Sequence, residues 1–169
     1  YDTSILRYYY TSMTSPTTII DYDLKTKKKT VRKVKEVLGG FDQKNYISER
    51  INATAKDGTK IPISLVYKKG TKRDGSAPLY LYGYGSYGIN IEPTFSSNLL
   101  SLIDRGFTFA IAHVRGSSTL GRQWYLDGKY LKKKNTFTDF IDAADHLIAK
   151  RYTSKGCLLY TSDAADDRM

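Results

Sequence analysis

Three stretches carry residues whose type and spacing suit chemistry. The first is Gly83-Tyr84-Gly85-Ser86-Tyr87-Gly88, a Gly-x-Gly-x-x-Gly pattern. In a dinucleotide-binding fold such glycines let backbone N–H groups approach a pyrophosphate at a helix N-terminus. The context here is poor for that use. Ile89-Asn90-Ile91-Glu92-Pro93 intervenes before the next helical pattern, and Arg115, not an acidic ribose ligand, leaves the following strand. An arginine would suit a 2′-phosphate, so an NAD(P)-binding oxidoreductase domain stays as an alternative, one whose helix should begin at Gly85. The other reading is a sharp turn. Its glycines let the chain fold back and present Tyr84 or backbone N–H groups above a strand's C-terminal edge, where open α/β sheets place their sites.

The second stretch runs from Arg115-Gly116-Ser117-Ser118 to Gly121-Arg122-Gln123-Trp124. It is a Gly/Ser-rich loop of the kind that carries function on α/β scaffolds. Arg115 suits either a structural ion pair or an anion, and Trp124, the sole tryptophan, is expected to plug the loop against the core.

The third candidate is a nucleophile–base–acid set. No Gly-x-Ser-x-Gly elbow occurs, because Ser86 has Tyr84 two residues before it and Ser118 has Leu120 two after it. His113 ends an apolar strand and is expected to be packed and hydrogen-bonded. His146 is expected in solvent, and Asp139, Asp142 and Asp145 on a polar helix face. No convincing triad is present.

The elements that must hold these residues follow from hydrophobic periodicity. Residues 6–10, 17–24 and 30–34 predict a short β-meander, and Gly39-Gly40 marks a boundary. Residues 46–55 and 60–68 predict a hairpin, whose Asp57-Gly58 suits a type I′ turn. Residues 78–82 and 107–114 are near-continuous apolar runs, as strands buried on both faces require. Residues 94–105 predict a helix with Gly106 at its C-terminal cap. Residues 136–151 predict the clearest helix: Phe137, Phe140, Ile141, Ala144, Leu147 and Ile148 form its stripe, and Thr136 with Asp139 mimics a capping box. Strand, helix, strand, helix after a hairpin predicts an α/β fold with a parallel sheet.

Composition narrows the classes. The 169 residues are 40% hydrophobic and 26% charged, which excludes wholesale disorder. There is no run of ~18 apolar residues to make a transmembrane helix. Two histidines and one cysteine, Cys157, supply neither a Cys/His metal cluster nor an internal disulfide. The net charge of +10 raises a second alternative, a basic polyanion-binding module. Seven basic residues lie between Lys25 and Lys35, and Lys132-Lys133-Lys134 forms another run. These clusters fall in different predicted elements, so solvated faces are the expected reading, and neither nucleic acid nor a membrane is an expected partner.

Several stretches together resemble the prolyl oligopeptidase family of serine peptidases. They are Ser64-Leu65-Val66-Tyr67, Tyr82 to Gly88, Asp104-Arg105-Gly106-Phe107, His113-Val114-Arg115-Gly116, and Gly128-Lys129-Tyr130 through Thr138-Asp139. The likeness is greatest to the oligopeptidase B branch, which cleaves short peptides after Lys or Arg. It implies that residues 1–39 end a β-propeller and that residues 40–156 form the N-terminal half of an α/β-hydrolase domain. It implies a short peptide as substrate and no metal or cofactor. Tyr84 matches the tyrosine whose hydroxyl donates to the oxyanion, with Gly83, Gly85 and Arg115 expected as loop support.

The ends carry expectations of their own. The chain starts at Tyr1, so a fragment is expected, and the lack of a signal segment then says nothing about location; a cytoplasmic location is the expectation. Residues 157–169 depart from the family pattern, and 157–167 resemble the translation of a transposase-type sequencing adapter. They are expected to be a non-native tail. The Ser, Asp and His of the triad would then lie outside the chain, leaving it inactive by itself.

Overall fold

The computed structural model describes residues 3–162. Strands β1 (Ile5–Ser12), β2 (Ser15–Asp23) and β3 (Lys29–Val34) form the expected antiparallel meander, in that order. Asp23 closes the second turn, its carboxylate accepting the N–H groups of Lys25 and Thr26 at 2.8 and 2.9 Å. Every residue of β3 is exposed, so this small sheet encloses no core between its own faces. It docks through the β1–β2 turn instead: Met13 is buried in a cluster with Val66, Ile103 and Ile111.

The larger sheet contains β4 (Tyr46–Thr54), β5 (Lys60–Lys68), β6 (Leu79–Gly83), β7 (Thr108–Ala112) and β8 (Leu158–Ser162) in the order β4-β5-β7-β6-β8. The β4/β5 and β5/β7 pairs are antiparallel, whereas β7/β6 and β6/β8 are parallel. Helices cover both faces. Ile63, Leu65, Leu81 and Ala110 join Ala143 and Leu147 of α3 (Lys134–Ala149) in one cluster. Ile111 and Val66 meet Ile103 and Leu99 of α1 (Ser97–Asp104) in the other. Adjacent residues of a strand thus serve opposite layers, which is why these strands read as continuous apolar runs.

Three local expectations differ from what is found. The β4–β5 turn is not type I′, which needs positive φ at two residues. Only Gly58 has one (86°). Its N–H donates to Ala55 O and the Ala55 N–H to Thr59 O, both at 2.8 Å. That is a type I turn closed by a left-handed glycine, the three-residue solution. Helix α1 is shorter than predicted, starting after Ser96. Its C-terminus does end at Gly106 (φ 93°), with Gly106 N–H to Ile103 O and Phe107 N–H to Leu102 O.

The third difference bears on the site. Helix α3 starts at Lys134 and buries Thr136, Asp139, Asp142, Ala143 and Leu147, while Phe137 and Ile141 are exposed. The inward face is therefore rotated from the apolar stripe. Asp139 is not a capping residue and the three aspartates are not one solvated face: Asp139 and Asp142 are inside, held by partners.

Candidate active site

Parallel register brings three strands to an end together. Gly83 of β6 lies beside Ala112 of β7 and beside Ser162 of β8. Tyr84 is the first residue past that edge, half-buried, on a turn that reverses the chain. Tyr87 and Gly88 both take positive φ there, at 55° and 71°. The Gly88 N–H donates to Gly116 O at 3.0 Å, so the turn lies against the chain leaving β7.

Close approach explains the glycines. A Cβ on Gly85 would stand 2.7 Å from Arg115 O and 2.8 Å from Val114 Cγ2, and one on Gly83 would run into the Phe140 ring. The N-terminal turn of α3 holds the assembly from below. Thr136 Oγ1 donates to Arg115 O at 2.7 Å and sits 3.4 Å from the carbonyls of Gly85 and Gly128. Thr136 is thus a hydroxyl bridge between loops inside the first helical turn, not the helix cap its sequence suggested. Lys133 Nζ donates to Gly85 O at 3.0 Å and to Ser86 Oγ.

Arg115 is an ion-pair member. Its backbone N–H and Nε donate to Asp139 Oδ2 at 3.0 and 2.9 Å, and a terminal nitrogen reaches Asp139 Oδ1 at 2.5 Å. The other terminal nitrogen reaches Asp57 Oδ2 at 2.7 Å. Asp139 is fully buried and Arg115 nearly so. These bonds raise the guanidinium pKa further, Asp139 contributing most. Asp57 is pushed down to about 2, chiefly by Thr59 and then by Arg115. The fork therefore ties the hairpin tip, the end of β7 and α3 into one unit under Tyr84. Among the sequence-predicted site residues, Gly83, Tyr84, Gly85 and Arg115 are brought together at this edge.

His113 is a packed residue, as expected. Its Nε2 lies 2.8 Å from Ser64 Oγ, and burial, aided by Arg50, depresses its pKa to about 4. A base at neutral pH it could be, but it is 3% exposed and held inside the sheet. His146 is half-buried rather than solvated, and burial lowers its pKa too. Trp124, on α2 (Arg122–Leu126), donates Nε1–H to Val114 O at 3.0 Å and plugs the loop as expected. Beside the turn lies a cleft of ≈ 380 Å³ lined by Ser86, Tyr87, Gly116, Tyr125, Gly128, Lys129, Tyr130 and Lys133.

Sequence reasoning missed Thr136, Asp139 and Lys133. The i, i+4, i+8 spacing of Asp139 with Ala143 and Leu147, which puts all three on one helix face, was the available signal for Asp139. The dinucleotide alternative lacks its helix, which begins at Ser97 rather than Gly85.

Residues 93–160 match the family model described as the prolyl oligopeptidase family. Over that stretch the chain resembles the family. It is similar to the dipeptidyl aminopeptidase BI of Pseudoxanthomonas mexicana, 50% identical over 155 residues, which are 90% of this chain and 21% of that protein. Among solved structures it resembles oligopeptidase B from Trypanosoma brucei with covalently bound antipain. The TM-score is 0.88 at 51% identity, covering 96% of this chain and 23% of that one. A second prolyl oligopeptidase neighbour, from Galerina marginata, bound to a 35mer hydrolysis and macrocyclization substrate, gives 0.88 at 31% identity, covering 95% and 23%. The chain spans about a fifth of the curated relatives it matches. Within the prolyl oligopeptidase family these are serine peptidases, and the mixed sheet described above is the part of their architecture that this chain shares.

Proposed function

We propose that the chain is part of an oligopeptidase that hydrolyses short peptides, with cleavage after Lys or Arg, and that Tyr84 donates its hydroxyl to the oxyanion. The observation carrying the oxyanion role is the placement of Tyr84, whereas cleavage after Lys or Arg rests on likeness to oligopeptidase B. Tyr84 stands where the parallel strands β6 and β7 end, on a turn fixed by Gly116, Thr136 and Lys133. A donor held rigid before the reaction stabilises charge that develops only in the transition state, typically by ~3–4 kcal/mol. Gly83 and Gly85 permit the close approach, and Arg115 braces it. In the whole enzyme a serine would attack the peptide carbonyl, a histidine would carry the proton, and an aspartate would orient the histidine.

The same reading assigns residues 1–39 to the end of a β-propeller and 40–156 to the first half of the hydrolase domain. The exposed faces of β1–β3 support it, because such a meander needs further chain to cover it. Residues 163–169 lie outside the described residues and contain no Ser, Thr or Cys. We assign 157–169 to an adapter-derived tail; its 158–162 segment pairs with β6 as any short apolar strand would. Sequencing the locus through codon 170 tests that, and genomic reads continuing this tail overturn it.

In the full-length peptidase, Tyr84→Phe should lower kcat by ~10²–10³-fold. An unchanged kcat removes Tyr84 from the mechanism. The 169-residue chain by itself should not turn over an Arg-Arg amide substrate, and turnover would refute the absence of a triad.

A further inference from the structure

The run Lys132-Lys133-Lys134 is a charge cluster whose members meet different fates. Lys132 pairs with Asp127 at 2.7 Å, and Lys134 is exposed. Lys133 is half-buried and stands at the N-cap of α3 without capping it. A lysine is poorly suited to that position. It offers no acceptor to the free N–H groups of the first turn, and its charge opposes the positive end of the helix dipole. Locally disfavoured residues are expected where a position serves something other than its own element.

What Lys133 serves is the turn after β6. Its ammonium donates to Gly85 O at 3.0 Å and to Ser86 Oγ, and lies 5.8 Å from the Phe137 ring centroid. The Gly85 carbonyl is one peptide beyond Tyr84, and Ser86 is buried. The positive end of the helix repels this cation while the loop carbonyl attracts it, and the side chain is turned to the loop.

We propose that Lys133 is a positioning residue for Tyr84. By gripping the turn at Gly85 and Ser86, it sets the direction in which the phenol hydroxyl points. The proposal rests on the oxyanion reading of Tyr84. In this role the lysine acts through the turn. A neutral side chain of similar length fills the space but leaves Gly85 O and Ser86 Oγ without their charged donor.

The test is a double-mutant cycle in the full-length peptidase, with steady-state kinetics on a peptide amide. Lys133→Met should lower kcat by roughly 10–100-fold while KM stays within about twofold, the pattern of an interaction felt in the transition state. Lys133→Arg should recover part of the loss. In a Tyr84→Phe background, Lys133→Met should change kcat by less than about twofold, because the group it positions is gone. An equal loss in both backgrounds, or a rise in KM alone, overturns the positioning role and leaves the Tyr84 reading standing. If Tyr84→Phe alone leaves kcat unchanged, both readings fall together. Should Lys133→Met not fold, Lys133→Gln carries the same cycle with the same outcomes.

Discussion

Strands β3 and β5 are both drawn from sequence with good strand formers, yet their surroundings are opposite. Lys29–Val34 is exposed at all six positions, whereas within Lys60–Lys68 the seven residues from Ile61 to Tyr67 are buried. The first sheet is held by cross-strand pairs, such as Arg7 donating its Nε and a terminal nitrogen to Asp21 at 2.6 and 2.9 Å, and by its β1–β2 end, where Met13 is buried, Ser15 Oγ accepts from Gln43 and Thr11 Oγ1 from the Phe95 N–H. The second is held by helices on both faces and by a buried charge fork. Strand propensity reports how a segment fits a pleated surface and says little about what covers it. Coverage decides how much each residue matters, and that difference can be broken by substitution.

The largest effect belongs to the fork. Arg115→Met leaves the Asp139 carboxylate buried with its main partner gone, so destabilisation of about 3–5 kcal/mol is expected in denaturant unfolding. A loss below about 1 kcal/mol would show that water or another cation reaches Asp139 and that the sheet edge is looser than described. Next, Leu81→Ala removes a fully buried side chain from the core under α3 and should cost about 2–5 kcal/mol by the same measurement.

Acid should also act on the large sheet. His113 has a folded pKa of about 4 against an ordinary value of 6.5, so the unfolded chain binds the proton more readily. Its contribution is complete above pH 6.5 and is lost as pH falls toward 4, by at most about 3 kcal/mol. His113→Gln should flatten stability over that window, and an unaltered slope would assign the pH dependence elsewhere. Met13→Ala should cost about 2 kcal/mol, felt where the small sheet docks and read as faster amide exchange in β1 and β2. Val31→Ala, on the exposed β3, should stay within about 0.5 kcal/mol. Equal costs at Val31 and Leu81 would erase the contrast between the sheets.

Most strands were legible because their pattern is simple: alternation in the small sheet, continuous apolar runs in the large one. The sheet order was not, since nothing local to residues 79–83 and 108–112 says that β7 lies between β5 and β6. Tyr84 was visible through its glycines and through likeness to a family. The supports beneath it were hidden by their chemistry. Asp139 is a charged residue on a buried face, acceptable only because Arg115 arrives from 24 residues away in sequence. Periodicity counts apolar residues, so it placed the stripe of α3 on Phe137 and Ile141, which are exposed. Lys133 was hidden for the converse reason, as one lysine in a run of three whose neighbours face solvent.

The closeness of the Gly83–Gly88 turn to the chain leaving β7 has an evolutionary consequence. At Gly116 (φ 98°) a Cβ would strike the Gly85 carbonyl, and at Gly85 it would strike the Arg115 carbonyl. At Gly116 the nearest obstacle is main chain, and at Gly85 main chain stands with the Thr136 methyl, so no exchange of side chains alone clears either position. In a library of all single substitutions the two positions should each accept one letter of the alphabet, and suppressor screens should return only true revertants. A lineage can tune Lys133 or Asp57 by small steps, but it can leave this pair only by rebuilding both loops at once.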